Sequence, residues 1–551
     1  MPVFGHLTSR ITALNSWWRR DPWVTATFVL IALFMLLFIV YPLAVAIMTP
    51  RASDWLRAVS SARWQGTMLN TLQMAALSTT SSVVIGFLYA YAIVKARIPG
   101  KGLFKLVPLL PLITPPFVSG LAFILLFGRR GFVTYEVLGL NTNIYGWHGL
   151  WLAQTVSFFP IAFLAISGVL RSINPNLERA AQSLGARGGH TFRTITLPLA
   201  IPGIGAAALL VAIAVLGDFG NPMLIAGRFR VLATEAYLQI SGWADMRMGA
   251  VLGLVLVAPA LIFFVLQQKL QGSSSRYATV GGRGSRMDEA PVSAWVRWSL
   301  FAFCLLITVF MVAQYVVILI GAFTPVWGVD YSFTWQNFES TLVKSSQLWN
   351  SLRFAGVAAL LCAAIATIAA FLVYRQRLPF GRALDVITLL PAAIPGTLLG
   401  ISYVLAYNVP PLQLTGTGAI IVLSMVVSYL PVGYRICAAT LQQLQPSIEE
   451  SASDLGASGM RTFFDVVLPI IKTSFSAALI YCFVKAIGTL SAVVFLISHG
   501  TVVASASILN LAEQGYWGAS AALASSLIAV ALIALGIFRL IFGGRLNLFE
   551  I

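Results

Sequence analysis

The chain contains the stretch LERAAQSLGARGGHTFRTITLP at residues 177–198 and a similar stretch, IEESASDLGASGMRTFFDVVLP, at residues 448–469. Both stretches place a Leu-Gly-Ala triplet at the same distance ahead of a Leu-Pro pair, and the second stretch lies 271 positions after the first. Each mixes polar and apolar residues as an amphipathic helix does, within a chain that is otherwise strongly apolar. A polar segment presented twice predicts two equivalent contacts with something outside the apolar body of the protein.

The composition around these stretches is that of a polytopic membrane protein. Hydrophobic residues make up 58% of the 551 and charged residues 10%, with a mean hydropathy of +0.87. Soluble domains are about 45–50% apolar and about 25% charged. Apolar runs long enough to cross a bilayer as helices recur along the whole chain. The sequence predicts an all-α fold with spans at 24–48, 68–94, 106–128, 148–170, 200–217, 247–268, 296–322, 350–374, 384–406, 417–440, 473–496 and 519–542.

The net charge of +17 comes from an uneven distribution of Lys and Arg and does not indicate nucleic-acid binding. With the N-terminus inside, we count 24 of the 35 basic residues on the inner side and 10 on the outer side. This bias follows the positive-inside rule and predicts that both termini are cytoplasmic. Residues 1–23 are too polar, and the apolar run after them too long, for a cleaved signal peptide.

The similarity between the two stretches extends into an internal duplication. Asn70-Thr71-Leu72 corresponds to Asn350-Ser351-Leu352, and the Leu-Leu-Pro at 109–111 to the one at 389–391. The sequence thus predicts two homologous halves of six helices each, residues 1–270 and 292–551, in the same orientation. Residues 271–291 are rich in Gly, Ser and Arg and are predicted to be a cytoplasmic linker.

The repeated stretches predict short amphipathic helices on the inner face, at about 175–192 and 446–463. Acidic residues in the first turn suit the helix dipole, small residues allow another surface to approach closely, and glycines permit backbone torsions that a Cβ obstructs. The candidate contact residues are Glu178, Arg179, Ala180, Ala181, Gly185, Glu449, Glu450, Ser451, Ala452 and Gly456.

This pattern resembles the EAA motif of permease subunits of binding-protein-dependent ABC importers, which reads Glu-Ala-Ala, three residues, Gly, nine residues, Ile-x-Leu-Pro. The second copy matches from Glu450 to Pro469, whereas the first has Arg179 where the motif has Glu. The resemblance implies a type I ABC importer fold in a bacterial inner membrane. It also implies that the two helices are coupling helices for two copies of an ATPase, and that a periplasmic binding protein delivers the substrate.

The chain has no G-x-x-x-x-G-K-[ST] phosphate-binding loop. We therefore expect it not to be an enzyme and to bind no cofactor itself, with ATP-Mg held by the partner ATPase. Two other interpretations compete with this one. The amphipathic segments could simply lie at the lipid interface, and twelve helices in two halves also describe a secondary transporter. The loop at 95–105 lacks the acid of the usual secondary-transporter motif, which speaks against that class.

Few ionisable residues stand at membrane depth, and these, together with two prolines, are the candidates for the translocation pathway. Lys485 is costly in hydrocarbon and is predicted to face a cavity, with snorkelling to the outer interface as the alternative. Asp218 follows the fifth helix, where helix termination is the alternative role. Pro115 and Pro395 are predicted to kink the third and ninth helices. The four cysteines, all within predicted spans, are expected to be small buried hydrophobes.

The resemblance also bears on the cargo. Fused halves with Gly-Asp-Phe-Gly-Asn-Pro at 217–222 are similar to the ferric-iron import group, which is close to permeases for 2-aminoethylphosphonate, sugar phosphates and polyamines. The resemblance favours ferric iron, whereas Lys485 favours an anion. No cluster of metal-ligating residues stands within the spans, and we expect no metal site in this chain.

Overall fold

The computed structural model describes residues 22–96, 98–274, 292–343, 345–376 and 380–542, and within these ranges the fold is all-α. Eleven helices are long and apolar enough to cross a membrane, and one bent pair brings the number to as many as twelve in the described ranges. The predicted fold class is therefore confirmed. Helices are the expected form because a bilayer offers no partner to an unpaired backbone amide or carbonyl.

The longer helices of the first half are α1 Pro22–Met48, α2 Ala52–Ser60, α3 Ala62–Val94, α4 Phe117–Phe127, α5 Trp147–Ser172, α6 Pro175–Ser183, α7 Gly188–Leu216, α8 Leu232–Ser241 and α9 Met246–Ser274. Those of the second half are α10 Ala294–Ala322, α11 Gln347–Tyr374, α12 Gly381–Ala393, α13 Gly396–Tyr407, α14 Gly418–Gln443, α15 Ser447–Asp454, α16 Gly459–Ile487, α17 Ala504–Glu513 and α18 Trp517–Phe542. The first four residues of the predicted linker complete α9, and its residues 275–291 lie outside the described ranges.

Prolines break two of the predicted spans, as the sequence led us to expect. In the span predicted at 106–128, Thr114 is extended (ψ 151°) ahead of Pro115, and α4 begins only at Phe117. In the span predicted at 384–406, α12 and α13 meet at 111° across Ile394 and Pro395. A proline disfavours helical torsions in the residue before it and cannot donate a backbone hydrogen bond, so the helix ends there.

The span predicted at 473–496 begins and ends too late along the chain, because α16 runs from Gly459 to Ile487. The helix α16 ends at Ile487, and the chain beyond it forms turns with one short 3₁₀ segment at Val493–Phe495. Leu490, Val493 and Leu496 are nevertheless buried. Hydropathy reports burial in an apolar environment, and it does not distinguish a helix in lipid from an irregular segment inside the protein.

The first helix of the chain packs against the other half of the molecule. A π-helical turn at Leu36–Val40 disturbs the hydrogen-bond ladder of α1. Tyr403 Oη of α13 donates to Phe38 O at 2.7 Å, and Tyr407 Oη donates to Leu37 O. Both tyrosines are fully buried. The second half therefore satisfies carbonyls of α1 that would otherwise face hydrocarbon.

The first helix of the second half makes the reciprocal contact. Tyr89 of α3 bonds to Thr308 of α10 at 2.9 Å between the two hydroxyls, and Thr114 bonds to Tyr315 at 3.1 Å. Phe123 of α4 meets Phe310 edge to face. The two halves thus exchange their leading helices, α1 and α10, which we call the crossed arms.

The four cysteines are buried free thiols, which agrees with their predicted role as small hydrophobes. Cys362 and Cys482 bring α11 and α16 together, with 2.8 Å between the sulfur atoms.

Candidate functional site

Two surface helices, α6 and α15, occupy equivalent places between long helices of the two halves, and we call them the docking helices. Each ends in a turn at a glycine with left-handed torsions, Gly185 (φ 89°) and Gly456 (φ 81°). A Cβ added at either glycine would meet nothing within 4 Å. The torsion, and not a lack of space, is therefore what requires glycine at these turns.

A leucine stands at the tip of each docking helix, directly before the glycine. Leu184 is 90% exposed and Leu455 is 89% exposed. A large apolar side chain held fully in the open at the same place in both halves indicates a surface that a partner covers. We did not single out these leucines from the sequence, although the repeated Leu-Gly-Ala triplet was the signal for them.

The predicted contact residues divide between the two faces of the docking helices. Exposed residues of the set are Arg179, Ala180, Gly185, Glu450, Ser451 and Gly456, and Ala181 and Ala452 are half-buried. The first acid of each copy instead points into the protein. Glu178 is buried, with 5% of its surface exposed, and Glu449 is half-buried.

These inward acids fasten each docking helix to the inner end of a long helix. Lys95, just after α3, donates to both oxygens of Glu178 at 2.9 Å, and Thr196 Oγ1 donates to Oε1 at 2.8 Å. At the equivalent place in the second half, Arg375 Nε donates to Glu449 Oε1 at 2.6 Å, with a second contact between Nη2 and Oε2. We call these two ion pairs the anchors. Sequence reasoning missed Lys95 and Arg375, because nothing local marks them as partners of residues over 70 positions away.

A cavity of about 530 Å³ lies between the two halves. Its walls combine residues that stand 271 positions apart, such as Ile161 with Val432, Leu210 with Tyr481, Ile213 with Val484, and Ala214 with Lys485. Since equivalent positions of both halves meet there, the cavity lies where the two repeats face each other. Its walls are apolar except for the phenol of Tyr481 and the amine of Lys485.

The structure places Lys485 in this cavity and not at the outer interface. Its Nζ donates to Leu112 O of the first half at 2.8 Å. In an unbroken helix, that carbonyl would accept from the amide four residues ahead, but residue 116 is a proline and has no N–H. The proline break before α4 thus supplies the acceptor that holds the lysine.

The other candidates for the pathway do not line the cavity. Pro115 is buried against Gly488, where an added Cβ would approach Pro115 Cγ to 2.7 Å, and Pro395 is buried at the bend between α12 and α13. These prolines shape the broken helices, while Lys485 alone of the predicted pathway residues reaches the cavity wall.

Asp218 belongs to a buried polar network at the end of α7. Its Oδ2 accepts from Gln154 Nε2 and from Asn221 Nδ2, both at 3.0 Å, and Oδ1 accepts from the backbone of Asn221. Asn221 in turn accepts from Gly120 N at 3.1 Å. Burial raises the pKa of Asp218 to about 6, and these hydrogen bonds oppose the rise. The arrangement joins α4, α5 and the segment after α7, which fits the alternative role of helix termination.

Comparison with known proteins places these features in context. The family model described as "Binding-protein-dependent transport system inner membrane component" matches twice, at residues 82–276 and 363–546. A ferric transport system permease protein of Actinobacillus pleuropneumoniae is 35% identical over 95% of this chain and 79% of its own length. A putative ferric transport system permease of Haemophilus influenzae is 34% identical over 88% of this chain and 79% of its own. A molybdenum transport system permease of Escherichia coli is 34% identical over 38% of this chain and 93% of its own. Each of the two family matches contains one docking helix.

Proposed function

Because this chain belongs to the family of inner membrane components of binding-protein-dependent transport systems, we propose that it is the permease of an importer that moves ferric iron. It is an ABC importer permease with both halves fused in one chain, so the secondary-transporter alternative is wrong. The observation that carries the cargo is the 35% identity to a ferric permease over 95% of this chain. The second ferric relative, at 34% over 88%, supports the same cargo.

On this proposal, α6 and α15 are coupling helices that receive one ATPase copy each at the cytoplasmic face. Both present an exposed leucine and a glycine turn toward that face, and both are anchored to the long helices by an ion pair, buried in the first half and half-buried in the second. Two equivalent contacts call for two ATPase copies. The inner side then carries most of the basic residues, and both termini are cytoplasmic. ATP-Mg is bound by the ATPase, and this chain carries out no hydrolysis.

The cavity between the halves is the translocation pathway in this scheme. An ATP-driven change at the docking helices is transmitted through the anchors to α3 and α11, and so to the seam where the halves meet. Lys485 and the carbonyl of Leu112 form a contact across that seam. Opening the cavity toward either side of the membrane has to release this hydrogen bond or move its two partners together.

A second cargo class is supported by the charge of the cavity. Its wall carries one amine and no carboxylate, which suits a phosphonate or sugar phosphate and does not suit a cationic polyamine. The deciding experiment is reconstitution of the chain with its ATPase and its binding protein, in nanodiscs for ATP hydrolysis and in proteoliposomes for uptake. We expect ferric-loaded binding protein to stimulate ATP hydrolysis, and ⁵⁵Fe to enter proteoliposomes. Stimulation by 2-aminoethylphosphonate with none by iron would overturn the ferric assignment.

The cavity lysine gives a prediction that separates a pathway role from a packing role. We expect Lys485→Ala to reduce uptake at least about tenfold while ATPase binding and thermal stability stay near wild type, because removing a buried amine relieves its desolvation cost. Lys485→Met keeps the bulk without the charge and is the matched control for packing. Normal transport by Lys485→Met would show that the amine has no part in the pathway.

The exposed leucines give a prediction about docking. Replacing Leu184 and Leu455 together by serine should weaken the ATPase contact by about 2 kcal/mol or more for each helix, the scale of a truncated interface anchor. We expect loss of the ATPase on co-purification, with normal insertion in the membrane because neither side chain packs inside the chain. Leu103, which is 59% exposed and lies between α3 and α4, outside both docking helices, serves as the control when it is replaced by serine. Undiminished co-purification of the double variant would show that the tips are not the contact.

A further inference from the structure

The outer faces of the two halves differ sharply in charge. With the docking helices inside, the outer loops of the first half and the adjoining helix ends carry eight arginines, and every one is exposed: Arg51, Arg57, Arg63, Arg129, Arg130, Arg228, Arg230 and Arg247. Of the acids in the same segments, Glu136 is exposed, Asp54 and Asp245 are half-buried, and Asp218 and Glu235 are buried. The surface that this half offers outward therefore has a net positive charge, although Arg57 is paired with Asp245 at 2.6 Å.

Part of this surface is held in order by a buried carboxylate. Glu235, 1% exposed, pairs with Arg63 Nη2 at 2.7 Å and with Arg230 Nε at 3.3 Å. One negative charge thus orients two guanidinium groups and leaves a net positive charge at the surface. Arg63 also lies over the ring of Trp64, 4.5 Å from its centroid. Ordered, partly desolvated guanidinium groups are suited to carboxylates on a partner, because little further entropy is lost when they bind.

The basic surface continues to the seam between the halves. Gly227, next to Arg228, lies against Tyr145. Arg130 reaches the second half, where its Nη1 lies 3.5 Å from Gly328 O. We call Arg63, Arg129, Arg130, Arg228 and Arg230 the arginine ridge.

The outer side of the second half carries no such excess of arginine. Its exposed acids are Asp330, Glu339 and Glu513, and in the described part of this face Arg353 is the one exposed arginine. The duplicated halves keep the same docking helix on the inner side, yet they differ on the outer side. This difference in charge allows a partner on the outer side to distinguish one half from the other.

We infer that the arginine ridge docks an acidic lobe of the periplasmic binding protein, and that the charge difference fixes which lobe lies over which half. This inference rests on the proposed function. Binding proteins of this kind are built of two lobes around a hinge, so on a two-fold-like permease they could sit in two orientations. Complementary charge steers the encounter toward one of them, and like charges disfavour the other.

The test uses the intact chain with its ATPase in nanodiscs and the loaded binding protein. We choose Arg129→Glu with Arg228→Glu, since neither arginine has an ion pair among the described residues and folding should be unaffected. At low salt the association rate should fall at least about tenfold, the scale on which steering acts. At 0.5 M salt the difference should largely vanish through screening. ATP hydrolysis without binding protein should not change.

The control is Arg353→Glu on the second half, matched to Arg228→Glu alone because each reverses one charge; it should alter the association rate by less than about twofold. Equal effects of both changes would mean general charge attraction and would overturn the orientation. An unchanged rate for the ridge variant, with altered binding to phosphatidylglycerol vesicles, would mean that the ridge meets lipid and not protein. If wild type shows no stimulation by any binding protein, the proposed function fails; stimulation that persists while the ridge variant behaves as wild type defeats only this inference.

Orientation itself can be read by cross-linking, because all four native cysteines are buried. A cysteine placed by Arg228→Cys should cross-link to the acidic lobe alone, and one placed by Asp330→Cys should cross-link to the other lobe alone. Cross-linking of either cysteine to both lobes in similar yield would contradict a fixed orientation.

Discussion

Exchange of Gly185 and Gly456 together for aspartate is expected to reduce uptake to background, while the protein still inserts in the membrane. Each glycine has left-handed torsions that aspartate tolerates better than most residues, and the added side chain would meet nothing within 4 Å in the chain itself. The change therefore weakens the contact with the ATPase, because it places a carboxylate against the ATPase surface. A loss of about 3 kcal/mol at each contact lowers ATPase affinity more than about 100-fold.

The measurement is co-purification of the ATPase together with substrate-stimulated ATP hydrolysis. Gly185→Asn with Gly456→Asn is the matched control, because asparagine has the same shape and torsional tolerance without the charge, and it should keep part of the coupling. Gly456→Val should keep less of the coupling than Gly456→Asn, since a β-branched residue adds backbone strain at a left-handed position. Full coupling in the aspartate double variant would show that these turns do not face the ATPase.

The anchors should give the second large effect. Lys95→Met removes the amine that both oxygens of Glu178 accept from, and each of these side chains is 7% exposed. A carboxylate left buried without its partner costs about 3–5 kcal/mol. We expect a lower unfolding temperature in detergent, a displaced docking helix and loss of uptake.

The double change Lys95→Met, Glu178→Met tests the cause. Replacing a buried ion pair by apolar side chains of similar size is often neutral, so stability should return to near wild type. In the second half, Arg375→Met should be milder, because Glu449 is 20% exposed and water can solvate it in part. If the single change at Lys95 is no more harmful than the double change, the pair does not hold the docking helix.

The sequence predicted what depends on local pattern. Apolar runs placed the spans, and prolines 115 and 395 placed the two breaks, because both signals act within a few residues. The docking helices and their glycine turns followed from the repeat. Burial of Lys485 in a cavity followed from the cost of an amine in hydrocarbon.

What the sequence did not show depends on contacts between distant segments. The direction of Glu178 and Glu449 is set by Lys95 and Arg375, and an amphipathic pattern alone left these acids on the partner's side. The end of α16 at Ile487 was hidden because the residues after it are as apolar as a span. The hydrogen-bond acceptor of Lys485 could not be predicted, because it is the carbonyl of Leu112 in the other half, which is left free by the proline four residues ahead.

The crossed arms limit how the molecule can move. Tyr403 and Tyr407 of the second half hold α1, and Tyr89 of the first half holds α10. Each half is therefore bound to a helix of the other. Pulling them straight apart would expose the carbonyls of α1 to lipid on one side and break the contacts of α10 on the other. A rocking motion about the crossed arms keeps both sets of hydrogen bonds, so widening the seam at one membrane face narrows it at the other. The exchange of two helices thus couples the two membrane faces, so that the cavity closes on one side as it opens on the other.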